Sequence, residues 1–136
     1  MVTAMSIRAL IDTSVFIAME SGRRLDLGAL PEGSTASAVT LAELSVGVLS
    51  AGDTATRSRR LATVAQLRTM ELLPVTEAVA GHWARLRVLV AQERRQVNVN
   101  DLWIAATAAA HRLPIVTQDS DFDLLAELGG LQVIRV

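Results

Sequence analysis

Short apolar runs alternate with stretches of helical spacing along this chain. The runs are too short for helices and predict strands, at 9–11, 35–39, 72–75, 114–117 and 131–136. Between them, apolar residues recur every three or four positions, which predicts helices. The first two predicted helices cover 15–20 and Thr40 to near Gly52, and the next two start after the cap Asp53 and at Thr76. The last two are the apolar helix 102–110, capped by Asn98 or Asn100, and the helix 120–128.

The alternation of strands and helices predicts an α/β fold with a parallel sheet covered on both faces. A chain of 136 residues is expected to form one domain, spanning 1–136. In sheets of this class, ligands bind beyond the carboxyl ends of the strands, where the following helices begin. That edge is therefore where functional side chains are sought.

Composition excludes several kinds of chemistry. The chain has no Cys and all 13 of its basic residues are Arg, so neither a thiolate nor a lysine takes part in its mechanism. The net charge of −1 gives no general attraction for nucleic acid. The longest weakly polar run, 102–110, is shorter than the roughly 18 residues that span a membrane. Asp12 interrupts the first apolar stretch and no basic segment precedes it, so we expect a cytoplasmic protein without a signal peptide.

Four acidic residues fall at the predicted carboxyl edge of the sheet. Asp12 directly follows the first strand, and Asp119 follows the strand that ends at Thr117. Glu43 is placed in the first turn of the helix that starts at Thr40, and Asp101 in the first turn of the apolar helix. Since these junctions share one edge, the four carboxylates are expected to converge.

Each carboxylate also has an ordinary structural interpretation. Thr40 and Glu43 have the spacing of a capping box, and Asp101 and Asp119 suit a helix start and a turn. Asp12 is harder to explain in this way, because a carboxylate after a buried strand must be paired, hydrogen-bonded or metal-bound. Four carboxylates in one cleft would repel each other without cations, and hard oxygen ligands select Mg²⁺ or Mn²⁺.

Four segments carry a resemblance to a known family. They are Leu10-Ile11-Asp12-Thr13-Ser14-Val15, Thr40-Leu41-Ala42-Glu43-Leu44, Asn100-Asp101-Leu102-Trp103-Ile104-Ala105-Ala106-Thr107-Ala108 and Val116-Thr117-Gln118-Asp119-Ser120-Asp121-Phe122. In this order and at these separations, the chain resembles the PIN-domain family, and within it the VapC-type ribonuclease toxins of type II toxin–antitoxin pairs. The resemblance extends from about Ile7 to Val136. The leader Met1 to Ala4 is unusual for the family, and Met5 is an alternative start.

The resemblance implies a three-layer α/β/α sandwich with a central parallel sheet. It also implies an endoribonuclease that depends on Mg²⁺ or Mn²⁺ and hydrolyses RNA with metal-activated water. The implied partners are the RNA substrate, a cognate antitoxin and a second copy of the chain in a homodimer. The catalytic and metal-binding roles are carried onto Asp12, Glu43, Asp101 and Asp119, with Asp12 and Asp101 as direct ligands, and assisting roles onto Asp121, Thr13, Ser14 and Thr117.

Three rival functions are weighed against this one. A phosphoacceptor receiver domain needs a late lysine, which the chain lacks, and a haloacid-dehalogenase-type phosphatase needs an aspartate where Ser14 stands. The remaining alternative is a catalytically inactive PIN-like module that binds RNA or protein. The presence of all four carboxylates weighs against it.

The sequence says less about which residues contact the substrate than about the carboxylates. Arg57, Arg59 and Arg60 form a cluster that suits RNA phosphates, although the pattern favours a solvated helix face. Trp103 has the ring needed to stack on a base, but its apolar helix favours packing in the core.

Overall fold

The structure is a computed structural model that describes residues 8–136. The leader and the choice between Met1 and Met5 lie outside the described residues. The strands are β1 (Leu10–Ile11), β2 (Ala36–Ser37), β3 (Leu72–Leu73), β4 (Ile115–Thr117) and β5 (Val133–Arg135). The helices are α1 (Thr13–Glu20), α2 (Ala38–Leu49), α3 (Thr54–Leu67), α4 (Glu77–Gln92), α5 (Val99–His111) and α6 (Phe122–Gly129), with a short 3-10 turn at Leu27–Ala29.

The five strands are all parallel, and β1 lies in the middle. It pairs with β4, β4 pairs with β5, and β2 pairs with β3. A parallel bridge between Leu10 and Thr35 joins the two groups, with hydrogen bonds from Ile11 N to Thr35 O and from Thr35 N to Ala9 O, both 2.8 Å long. The spatial order is therefore β3-β2-β1-β4-β5.

Helices cover both faces of this sheet, because successive strand residues point to opposite sides. Leu10 and Ile115 pack with buried residues of α4, α5 and α6 on one face. Ile11 and Val116 pack on the other face with buried residues of α1, α2 and α3. Residues 8–136 thus form a three-layer α/β/α sandwich, which confirms the predicted fold class.

Most of the predicted elements are present, but the second strand and helix are shifted. The strand predicted over 35–39 is only Ala36–Ser37, and the helix begins at Ala38 instead of Thr40. The physical reason is the cap: the side chain of Ser37 accepts a hydrogen bond from Val39 N at 3.0 Å, which starts the helix early.

Two further details concern the helices. The buried face predicted for α3 is partly wrong, because Val64 and Leu67 are buried whereas Leu61 and Ala65 are exposed. Within residues 8–136, no helix combines the length and the apolar character that crossing a membrane requires.

Candidate active site

The strand order places a crevice at the carboxyl end of β1. From β1 the chain continues to β2 and β3 on one side, and returns to β4 and β5 on the other. Parallel sheets bind ligands at such a reversal of strand order. Asp12 follows β1 here, and the loop from Gln118 to Asp121 follows β4. The chain leaves α5 at His111 and enters β4 at Ile115, at the opposite edge of the sheet. The N-terminus of α5, which carries Asp101, therefore lies at the carboxyl edge.

Asp12 is almost fully buried, with 2% of its surface exposed. One of its oxygens, Oδ2, accepts hydrogen bonds from Ser14 Oγ at 2.6 Å, from Thr117 Oγ1 at 3.0 Å and from Ser14 N at 3.3 Å. Burial raises the pKa of Asp12, and the donors on Ser14 and Thr117 oppose that rise because they stabilise the charged form. These bonds fix the orientation of the carboxylate.

The direction of the hydroxyl protons around Asp12 follows from counting them. Ser14 Oγ and Thr117 Oγ1 each carry one proton, and each donates it to Asp12. The two hydroxyl oxygens lie 3.3 Å apart, but no proton is left for a hydrogen bond between them. Their oxygens in turn accept the backbone N–H groups of Gln118, at 3.2 Å, and of Asp119, at 2.9 Å. The loop after β4 is therefore tied to Asp12 through two hydroxyl groups.

Glu43 is attached to the same edge by a second pair of hydroxyls. Thr13 Oγ1 donates to Glu43 Oε1 at 2.8 Å and lies 2.9 Å from Thr40 Oγ1. As Thr13 has a single proton, Thr40 must be the donor in that second contact. Thr40 is fully buried, so the chain of bonds runs from the core outward to the carboxylate.

The predicted position of Glu43 in a first turn is wrong. Because α2 begins at Ala38, Glu43 lies in its second turn, and the capping residue is Ser37 instead of Thr40. This excludes the capping box, in which Glu43 would fold back onto an amide at the helix start. The side chain of Glu43 instead contacts Thr13, which follows Asp12.

Asp101 lies in the first turn of α5, whose cap is Asn98. The side-chain oxygen of Asn98 accepts the N–H groups of Asn100, at 2.8 Å, and of Asp101, at 3.3 Å. A helix N-terminus normally stabilises a carboxylate, yet the pKa of Asp101 is raised to about 7. Burial is the largest cause, followed by repulsion from the charges of Asp12, Glu43, Asp121 and Asp119.

The four other carboxylates must lie near Asp101 for their charges to act on it. The structure thus places Asp12, Glu43, Asp101, Asp119 and Asp121 at one edge of the sheet, a group that we call the acidic cluster. Asp119 and Asp121 are exposed, whereas Asp12 is buried and Glu43 and Asp101 are half-buried. Asp123 differs from the cluster, because it forms an ion pair with Arg135 at 2.6 Å.

No basic side chain neutralises the acidic cluster within the part of the chain that the structure describes. Two ion pairs form among residues 8–136, and they involve Glu71 and Asp123 instead. Across the same residues, no three His, Asp or Glu side chains are already close enough to form a metal cage. The charges of Asp12, Glu43, Asp119 and Asp121 nevertheless act on Asp101 and raise its pKa, so the carboxylates repel one another.

Two of the three arginines in the cluster on α3 have a structural use. Arg60 donates to Gly47 O at 2.6 Å and Arg57 donates to Ala51 O at 3.3 Å, so both satisfy carbonyl groups at the end of α2. Arg59 is exposed. Trp103 stacks on Trp83 with ring centroids 4.9 Å apart, which agrees with packing between α4 and α5.

Sequence reasoning missed two residues that hold the site together. The sequence places Thr40 at a helix start, whereas its side chain is fully buried in α2. Its spacing of four residues from the apolar Leu44 is the signal that could have indicated this. Gln118 belongs to the fourth family-like segment, but the sequence assigns it no role. Its Nε2 donates to Val136 O at 2.8 Å and to Arg24 O at 3.4 Å, which anchors the loop after β4, and no sequence pattern indicates this.

Known proteins resemble this chain over nearly its whole length. Ribonuclease VapC5 of Mycobacterium tuberculosis is 52% identical over 126 residues, which are 93% of each chain. Ribonuclease VapC4 of the same organism is 43% identical over 130 residues, covering 95% of this chain and 97% of that protein.

Comparison of structures gives the same result. The crystal structure of VapBC-5 from Mycobacterium tuberculosis, a member of the VapBC family of toxin–antitoxin systems, matches with a TM-score of 0.87. The identity in that match is 47%, and it covers 95% of this chain and 98% of the other. The sequence model of the PIN domain matches residues 9–128. This chain therefore belongs to the PIN-domain family, in its VapC group.

Proposed function

We propose that this protein is a divalent-metal-dependent endoribonuclease and the toxin of a toxin–antitoxin pair. Relatives in the VapC group bear the name ribonuclease, and VapBC-5 belongs to a toxin–antitoxin system. The observation that carries the proposal is the acidic cluster. Its central carboxylate, Asp101, has its pKa raised to about 7 by burial and by four neighbouring acids, and no ion pair within residues 8–136 balances them.

The donor chemistry of the acidic cluster fits Mg²⁺ or Mn²⁺. Carboxylate oxygens are the ligands that these hard cations prefer, and a bound cation would replace repulsion among the acids by attraction. Asp12 and Asp101 are the proposed direct ligands, with Glu43 and Asp119 completing the set and Asp121 assisting. A divalent cation held by these residues would neutralise charge on a phosphodiester and lower the pKa of water.

The residues of the chain orient this site. Ser14 and Thr117 direct their protons at one oxygen of Asp12, Oδ2, which fixes the orientation of the carboxylate. Thr13 holds Glu43 through one oxygen in the same way. Hydroxyl groups that fix ligating carboxylates typically change metal affinity or activity by about 10–100-fold when removed.

The competing proposal is an inactive module that binds RNA or protein without cutting it. It is less well supported, because an acidic cluster without cations repels phosphate, whereas one that binds cations attracts it. A toxin also needs a partner that blocks it, and we propose a cognate antitoxin by analogy with the VapBC-5 toxin–antitoxin system. A homodimer is a further proposal, which rests on the family resemblance alone.

The test compares cleavage of a structured RNA under three conditions: the protein with Mg²⁺, the protein with EDTA, and Asp12→Ala with Mg²⁺. We expect cutting in the first alone. RNA binding without cutting in every condition would support the inactive module instead. For the toxin role, expression should arrest growth, and co-expression of the adjacent small open reading frame should relieve the arrest.

A further inference from the structure

A cavity of about 420 Å³ opens beside the acidic cluster. One wall is the loop between α4 and α5, with Arg95, Gln96 and Asn98, and the other is the start of α6. Two residues connect the cavity to the cluster. Asn98 accepts the N–H of Asp101 at 3.3 Å, and Asp121 lines the cavity while its charge acts on Asp101. A strand of RNA bound at the cluster would therefore pass the mouth of this cavity.

The charges that line the cavity argue against a phosphate. Asp121, Asp123 and Glu127 face a single guanidinium, that of Arg95. Asp123 is paired with Arg135, which leaves two carboxylates against one cation. Phosphate binding needs an excess of positive charge, so a phosphate would be repelled here.

The same side chains suit the edge of a nucleobase. Arg95 and Gln96 are exposed, and neither ion pair formed within residues 8–136 uses Arg95, so both groups are available to a ligand. Glu127 on the opposite wall is an acceptor, and Leu124 supplies an apolar surface for the face of a ring. Single-stranded RNA is read in this way, with an unstacked base packed against a side chain and hydrogen-bonded at its edges.

We propose that this cavity is a subsite for one unstacked base of the RNA, next to the phosphodiester at the acidic cluster. Guanine fits the arrangement best, because its O6 and N7 accept from an arginine while its N1 and N2 groups donate to a carboxylate. The volume lies in the range of about 300–1,000 Å³ that is usual for small-ligand pockets. This inference rests on the proposed ribonuclease function.

The matched control for Arg95 is Arg85, which lies in α4. Arg85 lines a different cavity, with His82 and Arg112, at the end of α5 and the start of β4, away from the carboxyl edge. Arg95→Ala and Arg85→Ala therefore remove the same charge from the protein, but only Arg95→Ala changes the proposed base subsite. Gln96→Ala removes the neighbouring amide without changing charge.

The experiment sequences the ends of fragments cut from a pool of RNAs that are randomised around the cleavage site. We expect the wild-type protein and Arg85→Ala to prefer guanine at one position. Arg95→Ala and Gln96→Ala should lose that preference, with rates on the preferred RNA falling about 10-fold and rates on other RNAs hardly changed.

Mn²⁺ affinity, measured by calorimetry, should be the same in all four proteins. If Arg95→Ala slows every RNA equally, or if both variants keep the wild-type preference, the base subsite is wrong although the ribonuclease function stands. If no protein cuts any RNA while Mn²⁺ binding is intact, the proposed function itself has failed.

Discussion

The two sides of the acidic cluster are built in different ways. On the side of β1 and α2, Asp12 and Glu43 are held by hydroxyl groups at distances of 2.6–3.0 Å. On the side of α5 and α6, Asp119 and Asp121 are exposed. Asp101, in the first turn of α5 on this same side, has its pKa raised by burial and by repulsion from neighbouring acids. We call these the fixed side and the open side.

This difference indicates where a cation would act. The fixed side has its carboxylates oriented by neutral donors, so it would define the position of the proposed ion. On the open side the carboxylates repel one another, and a bound cation would replace that repulsion by attraction. Substitutions on the open side should therefore change the pH dependence of stability as well as metal binding. Those on the fixed side should weaken metal binding by misplacing the ligands.

The largest effect is expected from Asp101→Asn. The folded-state pKa of Asp101, about 7, lies above its ordinary value of 3.8. The stability that protonated Asp101 contributes is therefore fully present below pH 3.8 and is lost as the pH rises through about 7. In EDTA, Asp101→Asn should melt several degrees above the wild-type protein at pH 8, and the two should approach each other at pH 4.

The same variant should lose its response to metal. Mg²⁺ should raise the melting temperature of the wild-type protein but not of Asp101→Asn, and RNA cleavage should fall by at least about 100-fold. Asp53→Asn is the control, because Asp53 caps α3 at an exposed position and asparagine caps a helix as well. Equal pH dependence in wild type and Asp101→Asn would contradict the account of the open side.

A smaller effect is expected from Thr117→Val on the fixed side. The substitution keeps the shape of the side chain but removes the donor to Asp12 and the acceptor for Asp119 N. Cleavage and Mn²⁺ affinity should both fall by about 10–100-fold. Thr107→Val provides the comparison, because Thr107 is equally buried and donates only to Trp103 O within α5. Similar losses in both variants would indicate a general packing effect.

The smallest effect is expected from Thr40→Val. Thr13 keeps its bond to Glu43 in this variant, and loses only the cooperative strengthening from Thr40, roughly 10–30% of a bond. Cleavage should therefore fall by less than about 5-fold. Thr40→Ser should restore it because serine keeps the hydroxyl. A loss as large as that of Thr117→Val would mean that Thr40 does more than orient Thr13.

Much of the fold was predictable because its signals are local. Apolar periodicity identified all six helices and the strands, and short capping motifs such as Asp53 and Thr76 marked where α3 and α4 begin. The placement of Asp12, Asp101 and Asp119 at the carboxyl edge also followed from the order of the elements alone. The roles of these acids as catalytic and metal-binding groups stay a prediction.

What the sequence left open depends on contacts between distant segments. The shift of α2 depends on Ser37 competing successfully with Thr40 as the cap, and both residues are good caps. The bonds from Thr117 to Asp12 and from Gln118 to Val136 join segments whose pairing is set by the sheet. The pKa of Asp101 depends on four charges from three separate segments, which no local pattern describes.

The most direct test of the account is anomalous diffraction from a crystal of the protein soaked in Mn²⁺. We predict a manganese peak between Asp12 and Asp101, with Glu43 or Asp119 turned toward it. The same soak of Asp12→Asn should show a weakened peak or none at that place. Absence of a peak in the wild-type crystal at saturating Mn²⁺, or a peak at another surface, would contradict the claim that these carboxylates form one metal site.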